Sequence, residues 1–86
     1  MDGRSTSADR FALAVGRLVR DAREAAGMTQ SAVDREAEVA DGTVAKVERG
    51  EMFDLPVHSM RRITDAVGAD PALLVPPAVG EAAVAR

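Results

Sequence analysis

The stretch 28–50 constrains the fold of this chain more than any other part of the sequence. Thr29 is a suitable N-cap for a short helix, because its hydroxyl can accept a hydrogen bond from a free backbone N–H of the first turn. Val33 and Ala37 then recur at helical spacing, and no Gly or Pro interrupts the segment between them. The next three residues, 38–40, are too few for another element and are therefore predicted to form a tight turn.

A second helix is predicted directly after this turn, since helical spacing resumes at Asp41. Val44 and Val47 lie on one face of this helix. Gly50 ends it, because Gly tolerates the left-handed conformation that commonly follows a helix C-terminus. The centre of the chain is thus predicted to be two short helices joined by a tight turn.

A longer helix is predicted before this pair. Phe11, Val15 and Val19 belong to an apolar stripe at helical spacing, which is typical of an amphipathic helix. Ser7 can cap this helix, and Gly27 follows its last turn.

Two more helices are predicted after the pair. Pro56 suits the first position of a fourth helix, which Gly68 ends. Asp70 and Pro71 open a short fifth helix, which the prolines at 76 and 77 terminate. The sequence therefore predicts an all-α fold, a compact five-helix domain. Its predicted boundaries are a flexible N-terminus at 1–7, the domain at 8–75 and a flexible C-terminal tail at 76–86.

The predicted core collects the apolar residues that recur at helical spacing. Its members are Phe11, Val15, Val19, Ala22, Met28, Val33, Ala37, Val39, Val44, Val47, Val57, Met60, Ile63, Val67 and Leu74. Met52 and Phe53, in the loop before the fourth helix, have two interpretations. They either anchor the loop under the domain or form an exposed apolar contact for a partner.

Composition excludes several classes of function. The chain has 86 residues, which allow one small domain with a thin core. It has no Cys and one His, His58, which excludes disulfides, thiolate ligands and a His cluster for a metal, and no cofactor is predicted. Without a Gly-rich phosphate loop or room for a pocket, no catalytic residue is predicted and the protein is not expected to be an enzyme. No apolar run approaches the roughly 20 residues of a membrane span and no signal peptide is visible, so a cytoplasmic protein without membrane contact is expected.

Several residues of the central stretch follow the spacing of a known family without a gap. They are Thr29-Gln30, Ala37, Val39, Thr43-Val44, Lys46-Val47 and Glu48-Arg49-Gly50. In these residues the chain resembles the helix-turn-helix of the phage-repressor-like (Cro-like, or XRE) family of DNA-binding regulators. Flanking matches extend the likeness over roughly residues 10–75. The resemblance implies a lambda-repressor-like DNA-binding domain.

The resemblance implies that the second helix of the pair enters the major groove of double-stranded DNA and that the protein binds as a homodimer. Asp41, Gly42 and Ala45 would lie at its base-facing end, and Lys46 could donate to guanine or to a phosphate one turn further on. Gln30 would contact a phosphate at the N-terminus of the preceding helix. The DNA-binding residues expected on this basis are Gln30, Arg35, Asp41, Gly42, Thr43, Lys46 and Arg49.

The resemblance also implies an ion pair between Arg23, in the first helix, and Glu48, at the end of the recognition helix. Such a pair would lock these two helices together. Its expected role is structural.

A few residues depart from the family's pattern. Asp34 stands where Ala is usual, and Ala40 stands where a capping Ser or Thr is usual. Glu38 stands where a turn Gly is usual, which implies a left-handed residue or a reshaped turn. Asp41 is expected to replace the missing cap in part, and Gly42 removes a base-reading side chain.

The charge balance leaves two functions open. The chain carries a formal net charge of −3, and the stretch 28–50 holds three basic against five acidic residues, which disfavours contact with phosphate. One interpretation is a sequence-specific DNA-binding transcriptional regulator, such as a repressor. The alternative is a helix-turn-helix scaffold used for protein–protein binding, an accessory or antitoxin-like module with weak or no DNA binding. Its acidic reading face, with Met52 and Phe53, would then meet a protein partner.

Overall fold

The structure, a computed structural model, describes residues 7–51 and 55–70. This part of the chain contains four α-helices. They are α1 (Ser7–Ala25), α2 (Gln30–Ala37), α3 (Thr43–Glu48) and α4 (Val57–Val67).

The all-α class is as predicted, but the described residues hold four helices rather than the predicted five. The fifth helix was expected from Pro71 onward, which lies outside the described residues. The same holds for Leu74, the loop residues Met52 and Phe53, and both predicted tails apart from Ser7. Ser7 was expected to cap α1 and is instead its first helical residue.

The four helices enclose one core. α1 packs against α3 and α4, and α2 packs against the same two helices. The buried residues of this core are Val15, Val19, Val33, Ala37, Val44, Val47, Met60, Ile63 and Val67, all of them predicted. Phe11, Ala22, Met28 and Val39, also predicted, are partly buried against it.

One predicted core residue is wrong. Val57 is 77% exposed. It is the first residue of α4, so no preceding turn covers it, and at 100° per residue it lies roughly 90° from the centre of the buried arc. Two polar residues of α4, Ser59 and Thr64, occupy buried positions instead. The Thr64 hydroxyl donates to the carbonyl oxygen of Arg61 at 2.9 Å, which satisfies a hydroxyl that would otherwise be costly to bury.

The helix beginnings follow the sequence closely. The Thr29 hydroxyl accepts a hydrogen bond from the backbone N–H of Ala32 at 3.0 Å, which is the predicted N-cap of α2. Pro56 lies one position earlier than predicted and is the N-cap of α4. Its carbonyl accepts from the N–H groups of Ser59 and Met60, so it still begins the helix.

α1 and α3 approach each other closely enough for backbone contact. A Cβ atom on Gly16 would lie 2.5 Å from the carbonyl oxygen of Val47 and 2.9 Å from that of Glu48. Both distances are shorter than van der Waals contact, so α3 can reach this position only because residue 16 has no side chain. Close packing of α1 on the end of α3 therefore depends on Gly16.

We expect Gly16→Ala to lower the free energy of unfolding by about 1–3 kcal/mol, because the new methyl group meets backbone atoms that cannot rotate away. Chemical denaturation would measure this change. In an unconstrained helix the same substitution would stabilise the protein. The control is Ala14→Gly at an exposed position of α1, expected to cost about 1 kcal/mol for helix propensity alone. A stabilised Gly16→Ala variant would contradict the close approach.

Candidate nucleic-acid interface

α2, the turn at 38–42 and α3 form the helix-turn-helix unit. Val44 and Val47 bury one side of α3, and the opposite side faces solvent. Of the seven residues expected at DNA, five are exposed and two are partly buried. The exposed ones are Arg35, Asp41, Gly42, Lys46 and Arg49, and the partly buried ones are Gln30 and Thr43.

The N-terminal end of α3 is held by a carboxylate from α2. Asp34 is 2% exposed, and its two oxygens accept hydrogen bonds from the backbone N–H groups of Gly42 and Val44, each at 2.9 Å. The expectation that Asp41 would replace the missing cap is therefore wrong. Asp41 is exposed, and α3 receives no side-chain hydrogen bond from its own N-cap residue, Gly42.

Two residues of the turn adopt left-handed backbone conformations. Glu38 has φ 58° and ψ 45°, which is the left-handed residue implied by its place in a turn where Gly is usual. Its N–H donates to the carbonyl oxygen of Arg35, and the N–H of Val39 donates to that of Asp34. Gly42 has φ 89°, a conformation that side chains disfavour. Gly42 thus allows the left-handed backbone conformation that precedes α3, and it also removes a side chain from this end of the helix.

The C-terminal end of α3 is held by a charged network. The Arg23 Nε donates to Glu48 Oε2 at 2.6 Å, and the Arg23 Nη2 donates to Glu48 Oε1 at 3.1 Å. The side chains are 14% and 6% exposed, so this two-bonded pair is largely removed from water. The hydrogen bond to the Glu48 carboxylate raises the pKa of Arg23 above its usual value. Arg23 also donates to the carbonyl oxygen of Met28 at 2.9 Å, which ties α1 to the start of α2.

The side chain of Gln30 belongs to the same network. Its Nε2 donates to Glu48 Oε1 at 2.9 Å. One N–H of the amide group expected at a phosphate is therefore used within the protein, and the hydrogen bond fixes the orientation of the amide.

Arg49, at the end of α3, is paired with Glu51. Its Nε and Nη2 donate to the two oxygens of Glu51 at 3.1 and 3.2 Å, and both side chains are 56% exposed. The hydrogen bond to Arg49, then its charge, and to a lesser degree the charge of Lys46, lower the pKa of Glu51 below its usual value. Part of the positive charge expected to face DNA is thus offset.

Lys46 and Arg35 are the remaining cations of the unit. Neither side chain takes part in a hydrogen bond or ion pair within the described residues. In contrast, Arg62 of α4 donates to the carbonyl oxygen of Ala37 at 2.8 Å and holds the C-terminus of α2.

Comparison with known proteins identifies the family. A family model described as a helix-turn-helix domain matches residues 14–75, well over half of the chain. The chain belongs to this helix-turn-helix domain family. Membership supports a DNA-binding regulator in general, and the family is typically non-enzymatic. Neither the search of curated proteins nor the search of solved structures gave a match.

The described residues form neither a metal-binding cluster nor a membrane-spanning helix. Within residues 7–51 and 55–70, no group of three or more His, Cys, Asp or Glu side chains could hold a metal ion. None of the four helices in these ranges is long and apolar enough to cross a membrane.

We expect Arg23→Met to lower the free energy of unfolding by about 3 kcal/mol, because it leaves the buried Glu48 carboxylate without its cation. The double variant Arg23→Met, Glu48→Met should recover part of this loss, since no uncompensated charge is then buried. Denaturant titrations of the three proteins would measure both effects. Arg49→Met is the control at an exposed pair and should cost much less. Equal losses in Arg23→Met and Arg49→Met would contradict this interpretation.

Proposed function

We propose that the protein is a sequence-specific DNA-binding transcriptional regulator of the phage-repressor-like (Cro-like, XRE) type. Residues 41–49, with α3 at their centre, would read the major groove, and the protein would act as a homodimer on a two-fold operator. The observation that carries the proposal is that α3 is anchored at both ends while its outer side is exposed. Asp34 holds its N-terminus and Arg23 holds Glu48 at its C-terminus.

The exposed side of α3 offers a small set of groups with suitable chemistry. Lys46 can donate to guanine O6 and N7 or to a phosphate, and the exposed Asp41 can accept from the amino group of cytosine. Gly42 allows close backbone approach at the base-facing end. Thr43 and Arg35 would contact the sugar–phosphate backbone.

The ends of the unit would supply further phosphate contacts. Gln30 lies at the first position of α2, and the hydrogen bond from its amide to Glu48 leaves its second N–H available to a phosphate. Arg49 could exchange its Glu51 partner for a phosphate, because both side chains are half exposed.

This charge inventory predicts a shallow dependence of DNA binding on salt. Within the described residues, the side chains of two cations of the unit, Arg35 and Lys46, form no hydrogen bond or ion pair. Arg49 is not counted, because Glu51 offsets its charge. Each neutralised phosphate contributes about 0.9 to the slope of log K against log salt, so the slope should be about −2 for each chain and about −4 for a dimer. A slope several units steeper would mean that many more cations reach the phosphates.

We expect Lys46→Ala to reduce the slope by about one for each bound chain and to lower affinity for the preferred sequence more than for other sequences. The measurement is a salt series of fluorescence-anisotropy titrations, with a duplex selected from random-sequence DNA and a scrambled duplex of equal length. Arg61→Ala is the matched control, because Arg61 is an exposed cation on α4, which does not belong to the helix-turn-helix unit. An unchanged slope in Lys46→Ala would exclude a phosphate contact by this side chain.

A second function, protein binding, is favoured by one observation. Glu36, Glu38 and Asp41 are exposed around the turn, so the unit presents three exposed carboxylates beside its two exposed cations, Arg35 and Lys46. Such a surface fits a basic protein partner better than it fits phosphate. Absence of DNA binding at low salt, where electrostatic attraction is strongest, would reject the regulator and leave this scaffold function.

A further inference from the structure

Three backbone N–H groups of the turn between α2 and α3 and of the first turn of α3 donate hydrogen bonds to one residue, Asp34. The Asp34 carboxylate accepts from Gly42 and Val44, and the Asp34 backbone carbonyl accepts from Val39 at 3.0 Å. Asp34 thus accepts three hydrogen bonds. One comes from the turn directly after α2, and two come from the beginning of α3. The carboxylate is almost fully removed from water, which makes both of its hydrogen bonds costly to lose.

None of the three residues directly before α3 caps this helix with its side chain. Ala40 has no polar side chain, Gly42 has none at all, and Asp41 points to solvent. The N-terminus of α3 thus depends on a cap supplied by a different helix. This arrangement links the departures from the family's pattern, because Asp34 provides the cap that Ala40 lacks, and Gly42, in a left-handed conformation, donates its N–H to the Asp34 carboxylate.

The carboxylate also determines what α3 can meet at this end. Free N–H groups at a helix N-terminus attract anions such as phosphate. Here the N–H groups of Gly42 and Val44 are already bonded to Asp34, whose charge also offsets the positive end of the helix. The base-facing end of α3 is therefore oriented by the protein and not by a phosphate of the DNA.

We propose that Asp34 is a positioning residue for the recognition helix and that it determines discrimination between DNA sequences, not the general affinity for DNA. The proposal rests on the proposed function. Within the described residues, the cations available for phosphate, Arg35 and Lys46, form no hydrogen bond or ion pair with Asp34, so we expect non-specific binding not to need it. Base contacts require the N-terminal end of α3 in one orientation, and Asp34 supplies that orientation.

The first test is amide hydrogen exchange followed by NMR, which needs no DNA. In the natural protein, the N–H groups of Gly42 and Val44 should exchange slowly. In Asp34→Ala, exchange at these two positions should accelerate at least about tenfold more than exchange in the cores of α1 and α4. Asp34→Asn keeps the size of the side chain and one acceptor oxygen, so we expect the loss at one of the two amides.

The second test compares DNA discrimination in Asp34→Ala and in a destabilised control. Val67→Ala is suited to this, because Val67 is buried in α4 and has no part in the turn. At a temperature where all variants are folded, the ratio of affinities for the selected and scrambled duplexes should fall at least about tenfold in Asp34→Ala and stay at the natural value in Val67→Ala. Affinity for the scrambled duplex should stay within about twofold in both.

The outcomes separate this proposal from the proposed function. If the natural protein does not distinguish the two duplexes, the proposed function fails, and positioning is then judged by hydrogen exchange alone. Unchanged exchange at Gly42 and Val44 in a folded Asp34→Ala variant would overturn the proposal. So would accelerated exchange with undiminished discrimination, because the cap would then be purely structural. Asp34→Asn serves for every comparison if Asp34→Ala does not fold.

Discussion

α3 has six residues, and the architecture of the domain depends on how so short a helix is held. A helix of this length has almost no stability of its own, since few of its backbone groups find partners inside it. Its support comes from other elements. Asp34 of α2 binds the first N–H groups, Arg23 of α1 binds Glu48 at the last turn, and Gly16 lets the backbone of α1 touch the same end. The longer helices therefore form a frame that holds α3 with one side exposed to solvent.

Local signals in the sequence were sufficient for most of this frame. The Thr29 cap and the apolar spacing of α1, α2 and α4 could be predicted because each depends on residues close in sequence. The left-handed Glu38 was one of two alternatives, and it came from the turn Gly that the family usually has at this position. The pairing of Arg23 with Glu48 bridges 25 residues and came from the resemblance to a family, not from spacing. The Asp34 cap was not predicted, because it too joins residues of two different helices. A carboxylate inside a helix has no sequence signature that tells whether it faces water or the N-terminus of a neighbouring helix.

The charge of the central stretch also takes a different meaning once the fold is known. By composition the unit is acidic, which argues against DNA. Two of its five acids, Asp34 and Glu48, are however directed inward and bonded to N–H groups of the protein. They stabilise α3 and would contribute little repulsion to a phosphate at its outer surface. Net charge counted along a chain is therefore a poor guide where acids serve as caps and buried partners.

The exposed charges around α3 affect how the protein would bind its proposed DNA target. Arg49 is offset by Glu51, and the exposed Asp41 stands near the base-facing end of α3. With few unopposed cations, general attraction to DNA would be weak, so the proposed binding would depend on base contacts at the correct sequence. Base contacts depend on orientation much more than phosphate contacts do. If α3 reads DNA as proposed, a weakly charged surface would place a stronger requirement on its anchoring. The network of Arg23, Glu48 and Gln30, with the Asp34 cap, supplies such anchoring.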